Sequence, residues 1–129
     1  ALLKLYLLLL LRNYEHPVDT HSPGTTALHV IRYIDAHLDA VIRLADIAAA
    51  HHQSISALTR RFRRETGFSV MEYCHMARLE KAKAQLADPE RTISAVAASM
   101  QFGSIHHFSH SFKAMYGVSP SRYRRTLLP

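Results

Sequence analysis

Four arginines crowd the stretch LTRRFRRETG, residues 58–67, at positions 60, 61, 63 and 64. A guanidinium is always charged, and its planar fork can hold a phosphate or the O6 and N7 edge of guanine. A run of arginines can equally be a solvated helix face. Fifty residues on, FSHSFKAMYG at 108–117 keeps the same skeleton with far less charge. Histidine is the other abundant group, with ten in the chain. His106 and His110 have the i, i+4 spacing that puts two imidazoles on one helix face. No Cys, Asp or Glu accompanies them nearby, so no metal and no other cofactor is expected. Cys74 is the single cysteine. With no base or oxyanion group evident beside it, it reads as a half-buried thiol and not a nucleophile. The chain is therefore not read as an enzyme.

Composition agrees with a binding role. A length of 129 residues fits one domain, or two small ones sharing a boundary. The net charge of +6 favours a polyanionic partner, either nucleic acid or an anionic membrane surface. One cysteine excludes an internal disulfide and any multi-cysteine metal site. That suits a reducing cytosol. Residues 1–12, ALLKLYLLLLLR, are leucine-rich but fall short of the ~20 apolar residues a membrane span needs. No small-x-small cleavage site follows them. We read residues 1–15 as one helix whose apolar surface needs a partner, either a dimer seam or a missing domain. The chain begins with Ala and not Met, as a piece of a longer protein would.

These cations must be positioned by helices. Residues 16–24 hold two prolines and a glycine and read as a linker. Val30, Ile31, Ile34 and Leu38 recur at helical spacing, which predicts a helix over 25–38. A short helix at 44–51 turns Leu44, Ile47 and Ala48 inward. Ser54 caps the next, with Leu58 and Phe62 on one face and Gly67 ending it. Ser69 and Glu72 form a capping box that starts a long helix, which runs to about Leu86 and stops at Asp88-Pro89. Thr92 then caps a short helix with Ile93, Val96 and Ala97 inward. Ser104 caps another with Phe108 and Phe112 inward, ended by Gly117. Ser119 caps the last, with Pro120 at its first position. No strand signal is present.

An internal repeat sets the architecture. Phe62, Gly67, Ser69 and Tyr73 recur as Phe112, Gly117, Ser119 and Tyr123, each 50 residues on. Leu58 pairs with Phe108, Thr59 with Ser109, and Arg63 with Lys113. Upstream the spacing is 49, pairing Leu44, Ile47 and Ala48 with Ile93, Val96 and Ala97. One extra residue therefore sits in the second copy's turn. The fold class expected is all-α. It has two helix-turn-helix subdomains, at 25–69 and 89–129, and a long bridging helix at 70–88. That makes about seven helices, plus the leucine-rich one.

The segments LADIAAAHHQSISALTRRFRRETGFSVMEYCHMARLEKAKAQL and TISAVAASMQFGSIHHFSHSFKAMYGVSPSRYR resemble the two halves of the AraC/XylS DNA-binding domain. The second carries the family's most specific signature, FSHSFKAMYGVSPSRYR. The resemblance covers about residues 25–126. The leucine run is similar to the linker helix that ends the effector and dimerisation domain of many members. The resemblance implies a transcription regulator acting in the bacterial cytoplasm, on the nucleoid. Its two recognition helices would enter successive major grooves of double-stranded DNA, roughly 34 Å apart. It also implies activation through RNA polymerase, a small-molecule effector bound by a domain before residue 1, and a homodimer.

On this reading the outward stripe of the first unit is Ser56, Thr59, Arg60 and Arg63. The resemblance places Ser56, Thr59 and Arg60 against bases. Arg63 and Arg64 sit later and would grip phosphate, as would Lys113 and Arg122. Arg61 neighbours the inward Phe62, and its role stays open between a DNA contact and a solvated charge. In the second unit Ile105, His106, Ser109 and His110 face outward. His110 stands where the family usually has arginine, and histidine carries little charge at neutral pH. The second unit should bind more weakly. His107, beside Phe108, is expected to pack. Arg78 matches a recurrent arginine of the bridging helix, and would tie the units together or stand exposed. The glycine usual in each turn is His52 in one copy and Gln101 in the other. If those positions need positive φ, each carries strain of ~1 kcal/mol. Arg43 occupies a cap position where Ser or Thr is expected. Two other classes remain open at this point. One is a helix-turn-helix appendage of an enzyme such as a DNA-repair methyltransferase. The other is a protein-interaction adaptor or membrane-surface module using the leucine helix.

Overall fold

A computed structural model describes residues 25–128 of the chain. The leucine-rich helix expected at 1–15 and the linker at 16–24 lie outside the described residues. Seven helices follow: α1 Thr25–Ala36, α2 Leu44–Ala50, α3 Ile55–Thr66, α4 Val70–Gln85, α5 Ile93–Ser99, α6 Ile105–Tyr116 and α7 Pro120–Leu127. There is no strand among the described residues. The domain is all-α, as the sequence pattern predicts. Two boundaries move inward. α1 stops at Ala36, so Leu38 is buried beyond its end, and α4 stops at Gln85.

Contacts divide the described residues into two units. One holds residues 25–37 and 42–76, and the other holds 38–41 and 77–128. The boundary falls inside α4, so each unit takes half of that helix.

In the first unit α1 and α2 both pack on α3. The stripe Ala27, Val30, Ile31 and Ile34 is buried, with Ile47, Ala48, Leu58 and Phe62. Leu44 is only half-buried, and so is Ile93 in the second unit. Both sit at the first position of a short helix, where solvent reaches one side. Phe62 meets Tyr73 edge-on with centroids 6.1 Å apart. The Tyr73 hydroxyl donates to Asp35 Oδ1 at 3.1 Å. The first amides of a helix lack intrahelical acceptors. At α1 the Glu65 carboxylate accepts from the Ala27 N–H at 2.8 Å, and its charge also suits a helix N-terminus. Cys74 is fully buried, not half-buried as expected, because it lies on the inward face of α4 next to Tyr73.

The second unit stacks its aromatics in series. Phe102, Phe108, Phe112 and Tyr116 lie 5.0, 5.7 and 4.6 Å apart in turn, and Phe112 also meets Tyr123 at 5.7 Å. Lys83 Nζ sits 4.6 Å over the Tyr116 ring. The Tyr116 hydroxyl donates to Glu80 Oε2 at 2.5 Å. Burial, then this bond to a carboxylate, push the phenol's pKa well above its usual range.

Two arginines make matching forks in this unit. Arg78 donates from Nε to the Leu38 carbonyl at 3.2 Å and from Nη2 to the Ala40 carbonyl at 2.8 Å. Arg124 donates from the same atoms to Leu86 and Asp88, at 3.1 and 3.3 Å. Each fork satisfies carbonyls just past the end of a helix, where intrahelical donors run out. Arg78 is thus committed to the α1–α2 connector.

The two short helices end alike. His52 has φ 53° and Gln101 has φ 63°. His52 N–H bonds to Ala49 O at 3.2 Å and Gln53 N–H to Ala48 O at 3.0 Å. Gln101 and Phe102 repeat this to Ala98 and Ala97, at 3.1 and 3.0 Å. This paired pattern is a Schellman ending, whose left-handed position normally holds glycine. The residues that follow differ: Phe102 is buried, whereas Gln53 buries a side-chain oxygen with no hydrogen-bond partner.

The conditional expectation of strain is therefore met at both turns. His52→Gly should raise unfolding stability by about 0.5–1 kcal/mol by relieving the left-handed backbone. Gln101→Gly should gain less, because Gln101 Nε2 donates to Asp39 O at 2.9 Å. Gly67→Ala should lose about 1 kcal/mol from its φ of 81° alone, since a Cβ there meets nothing within 4 Å. Denaturant midpoints at unchanged slope measure all three.

Candidate nucleic-acid interface

Each turn delivers the chain to a serine cap. Ser54 Oγ accepts from the Ala57 N–H at 3.1 Å, and Ser104 Oγ accepts from the His107 N–H at 3.0 Å. Satisfying these amides starts α3 and α6 where they stand. Both are 12 residues long and both end at a left-handed glycine, with Gly67 at φ 81° and Gly117 at φ 83°. Leu58 and Phe62 anchor α3, and Phe108 and Phe112 anchor α6, all with no exposed surface. Fixing these two positions on each helix fixes which residues face away from the core.

On α3, Ser56, Arg60, Arg61, Arg63 and Arg64 are exposed and Thr59 is half-buried. The Thr59 hydroxyl donates to the Ile55 carbonyl at 2.7 Å, so its proton is committed to its own helix. Arg63 Nη2 lies 3.9 Å from Glu72 Oε1. Both side chains are more than half exposed, so this pair adds little stability. Glu72 also closes the capping box of α4: its N–H bonds Ser69 Oγ at 3.0 Å, and its carboxylate accepts from the Ser69 N–H at 3.3 Å. Arg63 therefore faces a carboxylate held by the capping box, whereas neither Arg60 nor Arg64 forms an ion pair among the described residues. The sequence reading missed the Arg63–Glu72 contact, although the capping box already placed a carboxylate just past Gly67.

On α6, Ile105, His106, His110 and Lys113 are exposed and Ser109 is half-buried. His107 is exposed too, yet its ring stands edge-on to Phe102 with centroids 5.5 Å apart. Arg122 is exposed on the first turn of α7. It occupies the repeat position of Glu72. The second unit thus has a cation where the first has a carboxylate. Arg43, at the N-cap of α2, makes no side-chain cap bond.

Each unit presents a capped helix, set by a tight left-handed turn and exposing polar and cationic residues. That arrangement defines a duplicated helix-turn-helix domain. A helix-turn-helix domain family matches residues 47–126. The chain is 35% identical over 130 residues to the HTH-type transcriptional activator RhaR of Pectobacterium atrosepticum, covering 98% of this chain and 45% of that relative. It therefore spans under half of that protein's length. Among solved structures, the C-terminal domain of AraT, a response regulator from Geobacillus stearothermophilus, superposes with a TM-score of 0.71 at 31% identity. That match covers 78% of this chain and 84% of that one. The DNA-binding domain of AdpA, a global transcriptional factor solved in complex with a target DNA, gives 0.71 at 25% identity. It covers 78% of this chain and 90% of that one. The chain belongs to the AraC/XylS family of helix-turn-helix regulators.

Arg60 and His110 occupy the same position of the two copies, and only Arg60 can fork onto guanine. Arg60→Ala should weaken binding to a selected DNA site by roughly 5- to 150-fold and relax preference at one base pair. His110→Ala should weaken it several-fold less. Titration of both variants on one site measures the difference, and equal losses would refute it.

Proposed function

We propose that this chain is the DNA-binding part of a transcription regulator, with α3 and α6 as recognition helices that each enter a major groove of double-stranded DNA. The duplicated turn, built from the same hydrogen bonds twice, is the observation that carries this reading. The second copy reproduces both the Schellman ending and the serine cap, as a second recognition helix would need. Ser56, Thr59 and Arg60 would face bases in one half-site, with Ile105, His106, Ser109 and His110 in the other. Arg64, Lys113 and Arg122 would neutralise phosphate, and Arg63 would do so after leaving Glu72.

The rest of the regulator follows from the family and from the length of its relatives. A domain N-terminal to this chain would bind a small-molecule effector and pair the protein as a homodimer. Activation through RNA polymerase would be its output, in the bacterial cytoplasm. RhaR bears the name of an activator, which supports that direction of control. Among the described residues no helix is long and apolar enough to cross a membrane.

Selection of bound DNA from a random pool tests the reading. Two half-motifs are expected, the one read by α3 more stringent. Affinity should fall log-linearly with salt. Arg64→Ala, Lys113→Ala and Arg122→Ala should each reduce that slope by about 1 with little change in preferred sequence. Salt-independent binding without sequence preference would refute the proposal.

A further inference from the structure

Both recognition helices open on an exposed isoleucine. Ile55 follows the Ser54 cap and is 47% exposed, and Ile105 follows the Ser104 cap and is 41% exposed. They are repeat partners. The other large apolar partners on these helices, Leu58 with Phe108 and Phe62 with Phe112, are fully buried. A single exposed isoleucine is unremarkable on a protein surface. Here the partial exposure recurs at the same register position of both copies.

Their neighbours narrow what that use is. Ile55 lies one turn before Thr59 and is followed by exposed Ser56, with Arg60 on the next turn. Ile105 stands beside exposed His106, with Ser109 and His110 one turn on. Each isoleucine lies three and seven residues before its helix's buried anchors and four before a half-buried hydroxyl residue, Thr59 or Ser109, so it forms a small apolar spot at the edge between the core face and the polar stripe. A protein or lipid surface would need a continuous apolar patch, which one side chain does not make. The major groove offers a matching target. Its thymine C5 methyl is an apolar group set among hydrogen-bonding edges and phosphates. N-terminal residues of a recognition helix are the ones that reach base edges.

We infer that Ile55 and Ile105 each read the C5 methyl of a thymine, one in each half-site. The inference rests on the DNA-binding reading above and adds base content to it. Each half-site carries an A·T pair facing the start of its helix, and the α3 half-site also carries the guanine expected opposite Arg60.

The test uses the full chain and a DNA site selected from a random pool. Each thymine is replaced singly by deoxyuridine, which removes only the methyl. One thymine per half-site should weaken binding roughly three- to ten-fold when replaced. Ile55→Ser should abolish that sensitivity in one half-site only, and Ile105→Ser in the other. These side chains are exposed, so thermal unfolding of both variants should match the parent. A selected site indifferent to every deoxyuridine overturns the inference and leaves DNA binding standing. Sensitivity that survives both substitutions overturns it too. Failure to select any sequence overturns the DNA-binding reading and the inference together.

Discussion

The interface depends on one backbone reversal, made twice. After α2 and after α5 a residue takes positive φ, and its own amide and the next one bond back to the helix just left. That reversal sets where the serine cap falls, and the cap sets where the recognition helix begins. In both copies a non-glycine residue holds the strained position. His52 and Gln101 are kept there by the packing of the flanking helices, since Ile47 and Leu58 on one side and Val96 and Phe108 on the other are fully buried. Local strain of about 1 kcal/mol is small against burial of two such pairs, each side chain contributing about 1.5–3 kcal/mol. The geometry that presents Arg60 and His110 is thus enforced from the core outward.

Much of this was legible in the sequence because it is local or periodic. Ser54, Thr92, Ser104 and Ser119 cap helices through bonds within a few residues, so residue type and spacing suffice to find them. The change of repeat spacing from 50 to 49 locates the longer turn, where Gly103 is the added residue before Ser104. What the sequence hid is long-range. Glu65 reaching the first turn of α1, Tyr73 reaching Asp35 and the arginine forks all span more than 35 positions. Their partners are backbone atoms or single carboxylates, which leave no periodic mark. Cys74 was placed as half-buried because α4 lacks a clean apolar stripe: it changes unit midway and buries different faces along its length. Ile55 was passed over because a cap followed by an apolar residue reads as ordinary helix entry.

The two copies differ in what they add to the shared scaffold. The first has four arginines on α3 but sets Glu72 against one of them. The second has only Lys113 on the corresponding helix, yet replaces the carboxylate with Arg122. Counting charge on the recognition helices alone therefore overstates the imbalance. The larger difference is chemical. A guanidinium fork selects guanine, and an imidazole at the same position cannot make the same bidentate contact. In this account the units share the gripping of the backbone more evenly than the reading of bases.

Chemical interference on a selected DNA site separates these two roles most directly. Methylation of guanine N7 blocks the major-groove edge that Arg60 would use, and ethylation of single phosphates removes backbone charge. Ethylation interference is expected in both half-sites, and N7 interference concentrated in the one read by α3 and lost on Arg60→Ala. Ethylation interference confined to one half-site, or N7 interference that persists after Arg60→Ala, would contradict that division of roles.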